Sequence, residues 1–212
     1  MANYIYTAGA TRRSKLPYLV ALWSGYYLAA LIVCAFALLN QWLGSAIQTF
    51  GTLTAICVAS LLLGNLTGRY LTLGPPLIGR LICLLAAAAA LTLNPIILGD
   101  AVAGHAIQAR WSVNNAALAI ACALFAPSML LLAAIPPYAS TLLIRDRGAP
   151  GSVNRTILLC TALGFSVGSL TTARHLAEWL DAQVVMKIVL SLSFVLILLA
   201  LIRYPPRRVR LR

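Results

Sequence analysis

Acidic side chains are the scarcest feature of this chain: four in 212 residues, Asp100, Asp146, Glu178 and Asp181, against sixteen Lys and Arg. None of the four lies in the middle of an apolar run. A proton-coupled pump or a polycation carrier usually needs a carboxylate inside a span to hold its charge, so this scarcity argues against both classes. Charged residues of either sign make up only 9% of the sequence, where a soluble domain carries about 25%. So little charge cannot cover a surface in water; lipid can cover it. The five cysteines (Cys34, Cys57, Cys83, Cys122 and Cys160) form no C-x-x-C pair, and His105 and His175 stand alone. Metal-site and disulfide-framework spacings are therefore missing. Missing too are a glycine loop followed by Lys-Ser/Thr, an H-E-x-x-H run and a Ser–His–Asp order. No catalytic residue, cofactor or metal is expected, and the protein reads as a non-enzyme.

Apolar sequence fills the space that charge leaves, at 61% of residues and a mean hydropathy of +0.91. A membrane helix needs about 20 apolar residues. Six segments qualify: Leu16–Leu39, Trp42–Leu66, Leu77–Leu98, Asn115–Ile135, Val153–Ala173 and Val184–Ile202. The expected fold class is all-α, a polytopic bundle of six transmembrane helices with short connections and antiparallel sequence neighbours. The domain plan is a basic segment over 1–15, a transmembrane domain over 16–204 and a basic tail over 205–212. The first apolar run is too long for a secretory signal and reads as a retained span. On this division thirteen of the sixteen Lys and Arg fall on one side, with both termini. The positive-inside rule makes that side cytoplasmic and the expected home a bacterial inner membrane.

Several stretches invite a role. In "LGFSVGSLTT", Gly164 and Gly168 stand four apart, the small-residue spacing that lets helices pack closely in lipid, within one chain or between two copies. Gln48 and Thr52 fall on one helical face of the second span, which suits either inter-helix hydrogen bonds or a substrate path. Lys187, near the outer end of the sixth span, is the cation such a path would use, although snorkelling to the interface is the better explanation of it. Pro127 is expected within the fourth span, its freed carbonyl satisfied by a neighbouring helix or by the Ser128 region. Pro136 and Pro137 are expected to divide that helix, leaving "YASTLLIRD" as a short headgroup-level helix anchored by Tyr138 and Arg145. His105 and His175 are expected in outer loops, as part of a polar rim. Arg207, Arg208, Arg210 and Arg212 of the tail suit anionic lipid or an acidic partner. Nucleic acid is not an expected partner.

Taken in order, several motifs resemble a known family. "SGYY" at Ser24–Tyr27, Gly44-Ser45, "LLLGNLTGRYL" at Leu61–Leu71, "APSMLLLAAIPPYASTLL" from Ala126 and "VNRTILLCTALGFSVGS" from Val153 follow one another as in bacterial spermidine synthase-like membrane proteins. That family joins a six-span, half-transporter-like bundle to an aminopropyltransferase-like domain. The resemblance implies the same bundle here, running from about Ser24 to the last span. Ile32, Ala35 and Ala37 replace the polar positions of the family's first span, and no synthase domain follows the sixth. The expectation is thus a non-enzymatic accessory or anchoring subunit. Its partners would be the lipid bilayer and other membrane subunits, or a separate synthase-like protein. The alternative is a transporter of a neutral or anionic small molecule, working as a homodimer of six-span halves.

Overall fold

The computed structural model describes residues 15–44, 46–73, 78–109, 111–147, 150–178 and 181–203. Among them every regular element is helical: α1 (Leu16–Leu43), α2 (Ala46–Tyr70), α3 (Ile78–Leu91), α4 (Leu93–Gln108), α5 (Val113–Ile120), α6 (Ala126–Arg147), α7 (Pro150–Glu178) and α8 (Ala182–Arg203). α3 with α4, and α5 with α6, each form one crossing, giving six stretches long and apolar enough to cross a membrane. The shortest has 22 residues, about 33 Å at 1.5 Å per residue, which matches a hydrocarbon core of about 30 Å. The basic segments at either end, including Arg207, Arg208, Arg210 and Arg212, lie outside the described residues.

Each break in these helices has a local cause. α1 runs past the expected Leu39 to Leu43 and stops at Gly44, whose φ of +65° is a left-handed conformation that glycine adopts without strain. Its amide closes the end on the Asn40 carbonyl at 2.9 Å. The third crossing breaks at Thr92, one turn before Pro95, which has no N–H to offer the Leu91 carbonyl. The fourth opens into a π turn over Ala121–Phe125. There the Ala126 amide reaches back five residues to the Ala121 carbonyl, making room for the Pro127 ring. Ser128 does not supply the expected rescue, because its hydroxyl is buried with no partner among the described residues.

Pro136 and Pro137 do not divide the helix. α6 continues through both to Arg147, so no separate headgroup-level helix starts at Tyr138. Tyr138 itself is fully buried rather than interfacial. The cause is tertiary support from α2. A Cβ on Gly68 would stand 2.5 Å from both the Ala134 carbonyl oxygen and the Pro137 ring, so α2 presses against the proline turn with no side chain between. Two adjacent prolines also confine their lost hydrogen bonds to a single turn.

The closest packing forms two glycine seams. Gly164 and Gly168 of α7 face the carbonyls of Leu22 and Tyr26 in α1, and Gly64 and Gly68 of α2 face those of Leu130 and Ala134 in α6. For Gly168, Gly64 and Gly68, the place a Cβ would occupy is 2.5 Å from the facing oxygen. A Cα hydrogen therefore points at each of these oxygens, a weak bond that recurs where helices touch backbone to backbone. The Gly164/Gly168 face is thus an intramolecular one. In both seams the register advances in step, so each pairs helices running the same way.

The two seams expose a repeated plan. Exchanging spans one to three with spans four to six turns the α1–α7 pair into the α6–α2 pair, and the α1–α8 pair into the α6–α3 pair. The α1–α6 and α3–α8 pairs map onto themselves. An odd number of crossings makes up each half, so the halves run in opposite directions. α1 and the fourth crossing form the centre, 61% and 56% of their apolar windows being buried, whereas the second and fifth crossings reach only 28% and 22%. α2 and α7 therefore each keep a broad outward face.

Candidate functional site

Most hydroxyls of the described residues donate to carbonyls of their own helix, and a few polar side chains tie one span to another. Trp23 Nε1 donates to Ser193 Oγ of α8 at 2.9 Å, and the Trp23 ring stacks on Tyr26 with centroids 5.2 Å apart. The Tyr27 hydroxyl meets Thr92 Oγ1 at the break between α3 and α4. Thr92 already donates to the Ala89 carbonyl at 2.7 Å, so Tyr27 is the donor of that pair. Beside it lies a small cavity of about 10 Å³ touching Tyr27, Cys34, Thr92 and Met186, no larger than one water molecule. Among the described residues Leu31, Leu38, Leu132 and Ile135 fill the centre. Among the described residues no three His, Cys, Asp or Glu side chains gather as metal ligands, and all five cysteines are free thiols.

The larger cavities open on the flanks. One, of about 500 Å³, is an apolar groove at the π turn, between α2 and the third and fourth crossings, touched by Ser60, Cys122 and Pro127. Another, of about 510 Å³, lies among the ends of α2, α6 and α7 where Arg69, Arg145, Arg155 and Arg203 are exposed. Asn65, Arg69, Ser140, Thr141 and Asn154 give it a polar wall, and Pro136, Pro137 and Leu158 are part of the apolar one.

The expected path residues do not converge. Gln48 is exposed near the start of α2, and Thr52 is half-buried with its hydroxyl donating to the Gln48 carbonyl at 3.0 Å. Lys187 is exposed on α8. α2 packs mainly on α6, and α8 on α1 and α3, so Lys187 serves a different face from Gln48. His105 and His175 are not in loops: α4 extends to Gln108 and α7 to Glu178, placing both on helix ends, exposed. Asp100 is also helical, and its Oδ1 accepts from Trp42 Nε1 at 3.1 Å. Sequence reasoning missed the polar pocket. Asn65 and Asn154 belong to "NLT" and "NRT", triplets that resemble glycosylation acceptors and draw attention for that reason alone. Arg69 enters a sequence reading only as one more basic residue. The usable signal was the i, i+4 spacing of Asn65 and Arg69 next to a glycine seam.

Fold and site together define an all-α bundle with six membrane-length apolar helices, a centre filled by apolar side chains, and cavities on its flanks, one at the π turn and one among the ends of α2, α6 and α7. Comparison with known protein families, with curated proteins and with solved structures finds no match.

Proposed function

We propose that the chain is one half of a membrane transporter for a small neutral or anionic solute, completed by a second six-span bundle on the outward faces of α2 and α7. The observation that carries this reading is the pair of glycine seams relating two oppositely directed three-span halves. Oppositely directed repeats are the recurrent frame of secondary transporters, where one repeat rocks against the other around a site at their interface. A filled centre means that a single bundle offers no path. The poorly buried second and fifth crossings are where a second bundle would complete one. The excess of basic residues toward one end supports a reading in which both termini lie in the cytoplasm of a bacterium.

Reconstitution into proteoliposomes, followed by counterflow of small neutral and anionic solutes, tests this. Transport is expected to fall at least tenfold with Gln48→Ala and to survive Lys187→Ala, since only Gln48 lies on the outward face of α2. Equal survival of both variants would remove α2 from the path. The same filled, acid-free centre also suits a second reading, a non-enzymatic accessory subunit that anchors a separate synthase-like or larger membrane complex. Extraction in mild detergent with other chains at fixed stoichiometry, and no solute flux, would favour that second reading.

A further inference from the structure

We infer that the pocket between the ends of α2, α6 and α7 binds the phosphate-bearing headgroup of an anionic phospholipid, with Arg69 as the phosphate ligand. The lining is divided in two, as an amphiphile requires. Arg69 and the amide groups of Asn65 and Asn154 supply donors, while Pro136, Pro137 and Leu158 supply apolar surface. Arg69 is one residue from the end of α2, at the level of the headgroups, and Asn65 lies one turn deeper, about 6 Å along the axis. A guanidinium presents a planar fork of donors that fits phosphate oxygens better than a point charge does. The described lining holds no carboxylate, so Arg69 gives the pocket a positive charge for a ligand.

Ser140 and Thr141 refine the ligand. Both hydroxyls donate to the Pro137 carbonyl, at 2.9 and 3.0 Å, which leaves their oxygens as acceptors toward the pocket. The site therefore matches a phosphodiester whose headgroup also carries a hydrogen-bond donor, such as the glycerol hydroxyls of phosphatidylglycerol. The cavity of about 510 Å³ has room for the headgroup and the first part of the acyl chains. Basic pockets between helices at the cytoplasmic side of a membrane hold anionic headgroups in this way. The inference is independent of whether the bundle transports anything.

Native mass spectrometry of the delipidated full-length protein, titrated with phosphatidylglycerol, with phosphatidylcholine and with soluble glycerol phosphate, tests it. Phosphatidylglycerol adducts are expected on the wild type at least fivefold above phosphatidylcholine, with none from glycerol phosphate at the same concentration. Arg69→Gln should lose at least tenfold of that binding, Arg69→Lys should keep part of it, and Arg203→Gln, a charge-matched control on α8, should change it less than twofold. Equal adducts on Arg69→Gln and the wild type would overturn the site. Tight binding of glycerol phosphate would overturn the lipid and make the ligand a soluble anion.

Discussion

At the scale of single residues, the bundle rests on positions where a side chain is missing. Gly64, Gly68, Gly164 and Gly168 bring backbones into contact, and lipid offers no hydrophobic drive to replace that contact. Gly168→Val would push atoms into the Tyr26 backbone, and a carbonyl cannot rotate away as a flexible side chain can. The expected cost is about 1–3 kcal/mol, read by unfolding in a denaturing detergent titration. Gly151→Ala, where nothing lies within 4 Å, should stay within about 0.5 kcal/mol of the wild type. Loss of stability in both variants, or in neither, would place the tight contact elsewhere. Tyr27→Phe should cost only about 0.6 kcal/mol by the same measurement, because Thr92 keeps its bond to the Ala89 carbonyl.

At the scale of elements, the spans were legible because each is a run of apolar residues longer than a bilayer demands. Their ends and interruptions were not. α4 reaches Gln108 rather than Leu98 because polar residues such as Asp100 and His105 lower the hydropathy without ending the helix. Pro136 and Pro137 were misread as a break, and Pro127, rightly placed within the fourth span, brings a π turn that the sequence did not announce; the cost of a proline depends on what packs against it. Pro136 and Pro137 sit under α2 and the helix holds, whereas Pro127 borders the apolar groove and the helix widens into a π turn. Pro127→Ala removes the steric reason for that turn. The expected result is a regular α-helix from Val113 onward, with the residues before Ala126 rotated relative to α6. Cys122, exposed at the groove, should then change its labelling rate with a membrane-permeant thiol reagent, while the exposed Cys83 stays the same. An unchanged Cys122 rate would assign the π turn to packing with α2 instead of to proline.

At the scale of the whole molecule, the repeat was hidden although its signature was on view. L-G-x-x-x-G occurs at Leu63–Gly68 and again at Leu163–Gly168, but only the packing partners reveal that the two are equivalent. The candidate site was hidden more deeply, since Asn65 and Asn154 come from different halves and meet only once the halves interlock. That interlocking has a consequence. Each seam joins one half to the other, α1 to α7 and α6 to α2, and neither half keeps its own closest contact when alone. Residues 1–110 and 111–212, expressed as separate chains, should each be degraded when made singly, with Leu22, Tyr26, Gly64 and Gly68 of the first or Leu130, Ala134, Gly164 and Gly168 of the second left facing lipid. Made together, they should accumulate and co-purify, as packing between preformed spans does not need the connection between them. Adding Gly168→Val to the second fragment should weaken that recovery several-fold, because the seam is then the only tight join on the α1 side. Accumulation of either half by itself would mean that the halves are stable units that merely touch, and the rocking interface would have to be sought within a half rather than between them.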